Sequence, residues 1–209
     1  MNWNSIVSLG ALTVLAGLVA GGPFARAASD VPGDAYAKRI FAGKVAHKGK
    51  SYACFARRYD AAHLVKHPAQ KVTSMHLLVS AELVPEDKAL NYTFAMALSF
   101  RDRRGDFGSG GSCGHPMASQ ETADKLMLGC GVDCDGGGVS LELVNADKSV
   151  LLSIDRVAIW DDNKPDEERT NLEGGTDDRK FRLDRVRLDQ CKSLIPPEEH
   201  DEAEKPATI

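Results

Sequence analysis

Apolar and polar residues alternate along most of this chain. Tyr92, Phe94, Met96, Leu98 and Phe100 interleave with small or polar residues. That is period two, the mark of a strand with one buried face. Val139, Leu141 and Leu143 repeat the pattern, residues 145–148 supply a turn, and Val150, Leu152 and Ile154 repeat it on the way back. The two halves predict a β-hairpin. Residues 72–83 and 51–57 predict further strands, and 157–160 a short one. Residues 107–114 and 126–132 fit strands although they are rich in glycine. In 181–188 the apolar positions are 181, 183, 186 and 188, so the alternation slips by one. A β-bulge accounts for such a slip.

Helical periodicity is scarce. Asp60 can cap residues 61–67, and Pro68 stops them. Residues 35–42 predict a second short helix. No internal repeat and no strand–helix alternation of a parallel sheet is present. The expected fold is therefore mainly β: an antiparallel sandwich or barrel-like sheet of about seven to nine strands with one or two short helices.

The first 27 residues break this pattern. An apolar run covers 6–20, Gly21, Gly22 and Pro23 end it, and Ala25-Arg26-Ala27 places small residues where a signal peptidase reads. The run is about 15 residues long, short of the roughly 20 that span a bilayer core. Residues 1–27 read as a signal peptide and 28–195 as a single β-rich domain, which places the protein in the periplasm or outside the cell. A chain of this length can bury about 70% of its unfolded surface and need not depend on disulfides to fold. The formal net charge is −4, and loss of Arg26 with the leader takes it to −5. Nucleic-acid binding, which asks for a basic face, is not indicated. No later segment is long and apolar enough to span a membrane.

Two acidic stretches read as lying outside the folded sheet. Residues 161–180 hold eight acidic and four basic side chains with almost nothing apolar, the composition of a mobile loop. Residues 196–209 have the composition of a disordered tail. Either could serve as an interaction surface.

Export changes what the five cysteines mean, since thiols near each other pair in an oxidising compartment. They are Cys54, Cys113, Cys130, Cys134 and Cys191, so two bridges leave one thiol over. If 107–114 and 126–132 are antiparallel neighbours, Cys113 falls opposite Cys130. Cys113–Cys134 is the next arrangement. Cys130–Cys134 needs a tight turn, because four extended residues span about 13 Å. Five cysteines allow 15 ways to make two bridges, and a pairing of Cys54 with Cys191, both remote from the group, is one arrangement that would tie the two ends of the domain together. Gly136, Gly137 and Gly138 are expected to supply the positive φ of a turn after Cys134.

Rival chemistries share these residues. Cys113, His115, Cys130 and Cys134 form a Cys₃His set, a known zinc combination, but without a familiar finger or ribbon spacing. The run from Asp133 lacks the carboxylate that ends a calcium loop. Residues 110–114 satisfy G-x-S-x-G around Ser112, yet Cys-Gly-His-Pro follows, which does not start the helix the motif requires. His63 and His67 have the spacing of a metalloprotease pair, with Leu64 where the general base belongs. Asn91-Tyr-Thr93 is a formal glycosylation signal inside an expected strand. Arg57, Arg58, Arg101, Arg103, Arg104, Arg182, Arg185 and Arg187 bind an anion if they share a face, and pair with nearby carboxylates if scattered. No complete catalytic set emerges and no cofactor is implied. The sequence favours a non-catalytic envelope protein that binds a small ligand, a cell-wall component or another protein. The alternative is a metal-dependent or serine hydrolase centred on Ser112 and His115 or on His63 and His67.

Overall fold

In the computed structural model the described residues are 32–46, 49–84, 86, 89–118, 125–161, 163–164 and 168–203. The leader expected at 1–27 lies outside them, as do residues 204–209 of the tail. Helix α1 (Pro32–Ile40) precedes strand β1 (Lys50–Arg58), and helix α2 (Ala61–Lys66) leads into β2 (Val72–Val84) and β3 (Ala89–Phe100). Then come β4 (Phe107–Cys113), the short β5 (Met117–Ala118), β6 (Leu126–Gly131), β7 (Gly137–Val144), β8 (Ser149–Asp161), β9 (Thr170–Glu173) and β10 (Lys180–Val186). A 3₁₀ segment over Leu188–Leu194, another over Pro197–Glu199 and helix α3 (His200–Ala203) complete the chain.

Among the described residues all ten strands join one antiparallel sheet. The sheet closes on itself, because β10 pairs with β1 on one edge and with β8 on the other. Strand number exceeds the expected range because β5 and β9, with two and four residues, are too short to leave a periodic signal. The 157–160 segment is the far half of β8. The bulge lies there and not in 181–188. The β7–β8 register shifts between Gly138 and Val139, so that Gly138 faces Arg156 and Val139 faces Ile154. Asp155 is the extra residue, and the buried positions accordingly move from 150, 152 and 154 to 157 and 159.

In β10 the slip has a different cause. Phe181 and Leu183 enter the barrel core. Val186 faces outward in register with Cys54, which is opposite Leu78, which is opposite Ala95. This outer apolar row is covered by the chain after β10, through Leu188, Cys191, Leu194 and Ile195. The strand therefore serves two cores on opposite faces. The Cys54–Cys191 disulfide, 137 residues apart in sequence, fastens this wrap. Beyond it Glu199 pairs with Lys50 and accepts from Tyr52 Oη at 2.8 Å. Residues 196–203, expected as disordered, thus carry 3₁₀ and helical turns packed on the sheet.

One barrel end is plugged by α1. Tyr36, Ala37, Ile40 and Phe41 lie on one helical face and are buried. Tyr36 meets Tyr92 edge-on at 6.1 Å and Phe41 stacks on it at 6.3 Å. Arg185 locks the plug: its guanidinium donates to Ile40 O at 2.7 Å, Arg39 O at 3.2 Å and Asp147 O at 2.9 Å. Burial pulls Arg185 below its ordinary value, against the charges of Asp147 and Tyr36. The opposite end is sealed by Phe100 and Phe107, packed edge-on at 5.1 Å under the Arg103 guanidinium. With Met75, Leu77, Met96, Leu141, Leu152, Ile154 and Phe181 filling the space between, the interior is a packed core.

Candidate ligand-binding site

The β1–β10 ladder is short. It joins only residues 54–56 to 184–186. Past that point β1 continues beside β2 and β10 runs beside β8. The two strands part and leave a seam in the barrel wall. Tyr59 and Phe181 approach across it, ring centroids 6.5 Å apart. The seam opens into a cleft of ≈ 510 Å³ whose wall is α2.

Helix α2 is built for the surface. Asp60 caps it, accepting from His63 N at 2.7 Å. None of its residues is buried. Polar contacts hold it instead. Arg101 donates to the C-terminal carbonyls of Leu64 at 3.0 Å and His67 at 3.4 Å. Tyr59, His63 and His67 form a column of rings with centroid spacings of 4.6 and 4.3 Å. His63 Nε2 donates to Gln70 Oε1 at 3.0 Å, and buried Gln70 passes the contact on to Val72 O at 2.7 Å.

The far wall comes from the segment expected to be a mobile acidic loop. It contains β9, paired with β8 from Arg156↔Glu173 to Ile159↔Thr170. Asp178 is buried and accepts from Lys71 N at 2.6 Å and Val72 N at 3.2 Å. Asp177 accepts from Ala69 N at 3.2 Å and lies 3.6 Å from His67 Nδ1. These carboxylates serve as anchors that fix the entry to β2, a role invisible in acidic composition. Deleting 161–180 removes structure as well as charge.

Around the opening stand four fixed cations, Arg57, Arg179, Lys180 and Arg182, against one lining carboxylate, Asp177. Arg57 pairs with Asp184 at 3.1 Å, and Arg179 with Asp155 at 2.8 Å. Arg182 reaches Asp184 only at 3.8 Å. Lys180 has no carboxylate partner among the described residues. Sharing a face and pairing with carboxylates, posed as alternatives for the arginines, are both realised here for Arg57 and Arg182. Arg185 and Arg187 are elsewhere, on the α1 plug and on Asp189.

The remaining candidates are dispersed. Cys113 and Cys130, opposite each other in the β4–β6 register, are bonded. Their sulfurs are therefore not thiolate ligands. Cys134 is free and exposed. Its turn is formed by Cys134 and Asp135 at φ 59° and 58°, with Gly137 at 69°. Gly136 and Gly138 do not take positive φ. Gly138 is needed for closeness, since a Cβ there would lie 2.2 Å from Cys130 O. Ser112 sits within β4 opposite Gly131 and Thr93, and no helix follows it. His115 is exposed beyond the strand. Asn91 is exposed within β3. Among the described residues no three His, Cys, Asp or Glu side chains gather to hold a metal ion, and no helix is long and apolar enough to cross a membrane.

No family model, curated protein or solved structure matches this chain.

Proposed function

We propose that this protein is exported and that it binds a ligand in the seam cleft without transforming it. The observation carrying the reading is the contrast between a filled barrel interior and a large opening where β1 and β10 part. A barrel that bound its ligand inside would need a cavity where Phe55, Met96, Leu152 and Phe181 stand. Two disulfides in a chain of 209 residues support an oxidising compartment. The leader-like pattern of 1–27 supports the same conclusion. A pocket rimmed by fixed charges and rings, without a placed nucleophile and base, favours recognition over chemistry.

The test is recovery of the native protein from fractionated cells. Mass spectrometry is expected to find a chain beginning at Ala28 with two disulfides. An intact leader with all five thiols reduced overturns export. Stoichiometric zinc in the purified protein, or an ester hydrolysis abolished by Ser112→Ala, overturns the non-catalytic reading.

A further inference from the structure

We infer that the seam cleft receives a small molecule carrying phosphate or carboxylate groups. This rests on the cleft being the binding site, and adds the chemistry of what it binds. The chain as a whole is acidic, at −4. Four cations and one carboxylate nevertheless line this opening, with Asp184 and Asp155 paired to three of the cations at its edge. Among the described residues the uncompensated charge is thus local to Lys180, and a concave site with an excess of one sign concentrates ions of the other.

The cations differ in how committed they are. Arg57 and Arg179 already hold carboxylates, so an incoming oxyanion competes with Asp184 and Asp155 for them. Lys180 and the loosely held Arg182 are the donors ready to meet it. They are two apart on β10, and neighbours in a strand at that spacing share a face. Asp177, the one lining carboxylate, is turned toward α2, with one oxygen accepting from Ala69 N and the other facing His67. The ring column of Tyr59, His63 and His67 supplies a flat wall beside these charges. The setting is rigid. Arg101, Gln70 and Asp178 tie the surrounding backbone, so the donors are placed before the ligand arrives.

Isothermal calorimetry on the oxidised mature protein, with inorganic phosphate, pyrophosphate and citrate as probes, tests this. Saturable one-site binding of at least one probe is expected. Lys180→Ala and Arg182→Ala should each weaken it at least tenfold, while Lys44→Ala, an exposed cation elsewhere, leaves it unchanged. Circular dichroism of the variants shows that the sheet is retained. Absence of saturable binding for all three probes overturns the inference, as does equal binding by Arg182→Ala and the parent. A neutral sugar that binds and shifts the His63 and His67 ring resonances, when the anions do not, refutes the anion chemistry and leaves the cleft as a binding site. Failure of both kinds of probe counts against the cleft itself.

Discussion

The two ends of the barrel carry helices of opposite design. Helix α1 inserts Tyr36, Ile40 and Phe41 among the strands and gives its terminal carbonyls to Arg185. Helix α2 buries nothing and is held by a cap, a cation on its carbonyls and stacked rings. The plugged end also carries the outer wrap, with Glu199 on Lys50. Cations at the two ends have different duties. Arg185 satisfies backbone oxygens, whereas Lys180 and Arg182 face an opening. Apolar burial fixes α1, and polar contacts fix α2 while leaving its residues unburied.

The strongest challenge to this division is removal of the wrap. In the chain-entropy model the Cys54–Cys191 bridge contributes about 5 kcal/mol and the shorter Cys113–Cys130 loop about 3 kcal/mol. Denaturant unfolding of Cys54→Ala/Cys191→Ala is expected to show the greater loss. If Cys113→Ala/Cys130→Ala costs more, the wrap is not a principal fastening. Phe41→Ala at the plug should cost about 3–5 kcal/mol, the range for a buried phenylalanine. A loss below 1 kcal/mol would mean that α1 only rests on the barrel.

Smaller effects are expected at the open end. Asp60→Ala should cost about 1 kcal/mol. Hydrogen exchange should quicken in α2 while the amides of β2 and β3 keep their protection. Global unfolding would instead make α2 a structural twin of α1. The smallest effect is electrostatic. Burial pushes Glu199 up, but hydrogen bonds from Lys50 and Tyr52, with the ammonium charge, outweigh it and hold the carboxyl below its ordinary value. A depressed carboxyl stabilises the fold above the unfolded value, about 4.3. That contribution is lost as pH falls through the lower folded value. The pair is partly exposed, so the amount is under about 1 kcal/mol. Exchange in 196–203 should rise below pH 4 in the parent and show no such acid step in Glu199→Gln.

The strands and the hairpin of β7 and β8 were legible because alternation is local. So was α2, from Asp60 and Pro68. The destination of Tyr36 and Ile40 was not, since their i, i+4 spacing says that something covers them and not what. The slip in 181–188 reads as a bulge, and 157–160 as a strand separate from 150–154. The slip proved to be a strand facing two cores, and the bulge proved to lie at Asp155 inside one long strand; only the strand partners reveal either. Residues 161–180 read as a loop because β9 buries just Leu172 and because Asp178 binds backbone amides, which leave no compositional trace. The cleft was hidden for the same reason. Arg57 and Arg182 are 125 positions apart, and their proximity depends on where the β1–β10 ladder stops.

With four sulfurs locked in bridges, the exposed thiol at Cys134 gives the oxidised protein a single chemical handle. A maleimide dye should attach there once per molecule without reduction, which equips the barrel with a reporter group at no cost to its fastenings.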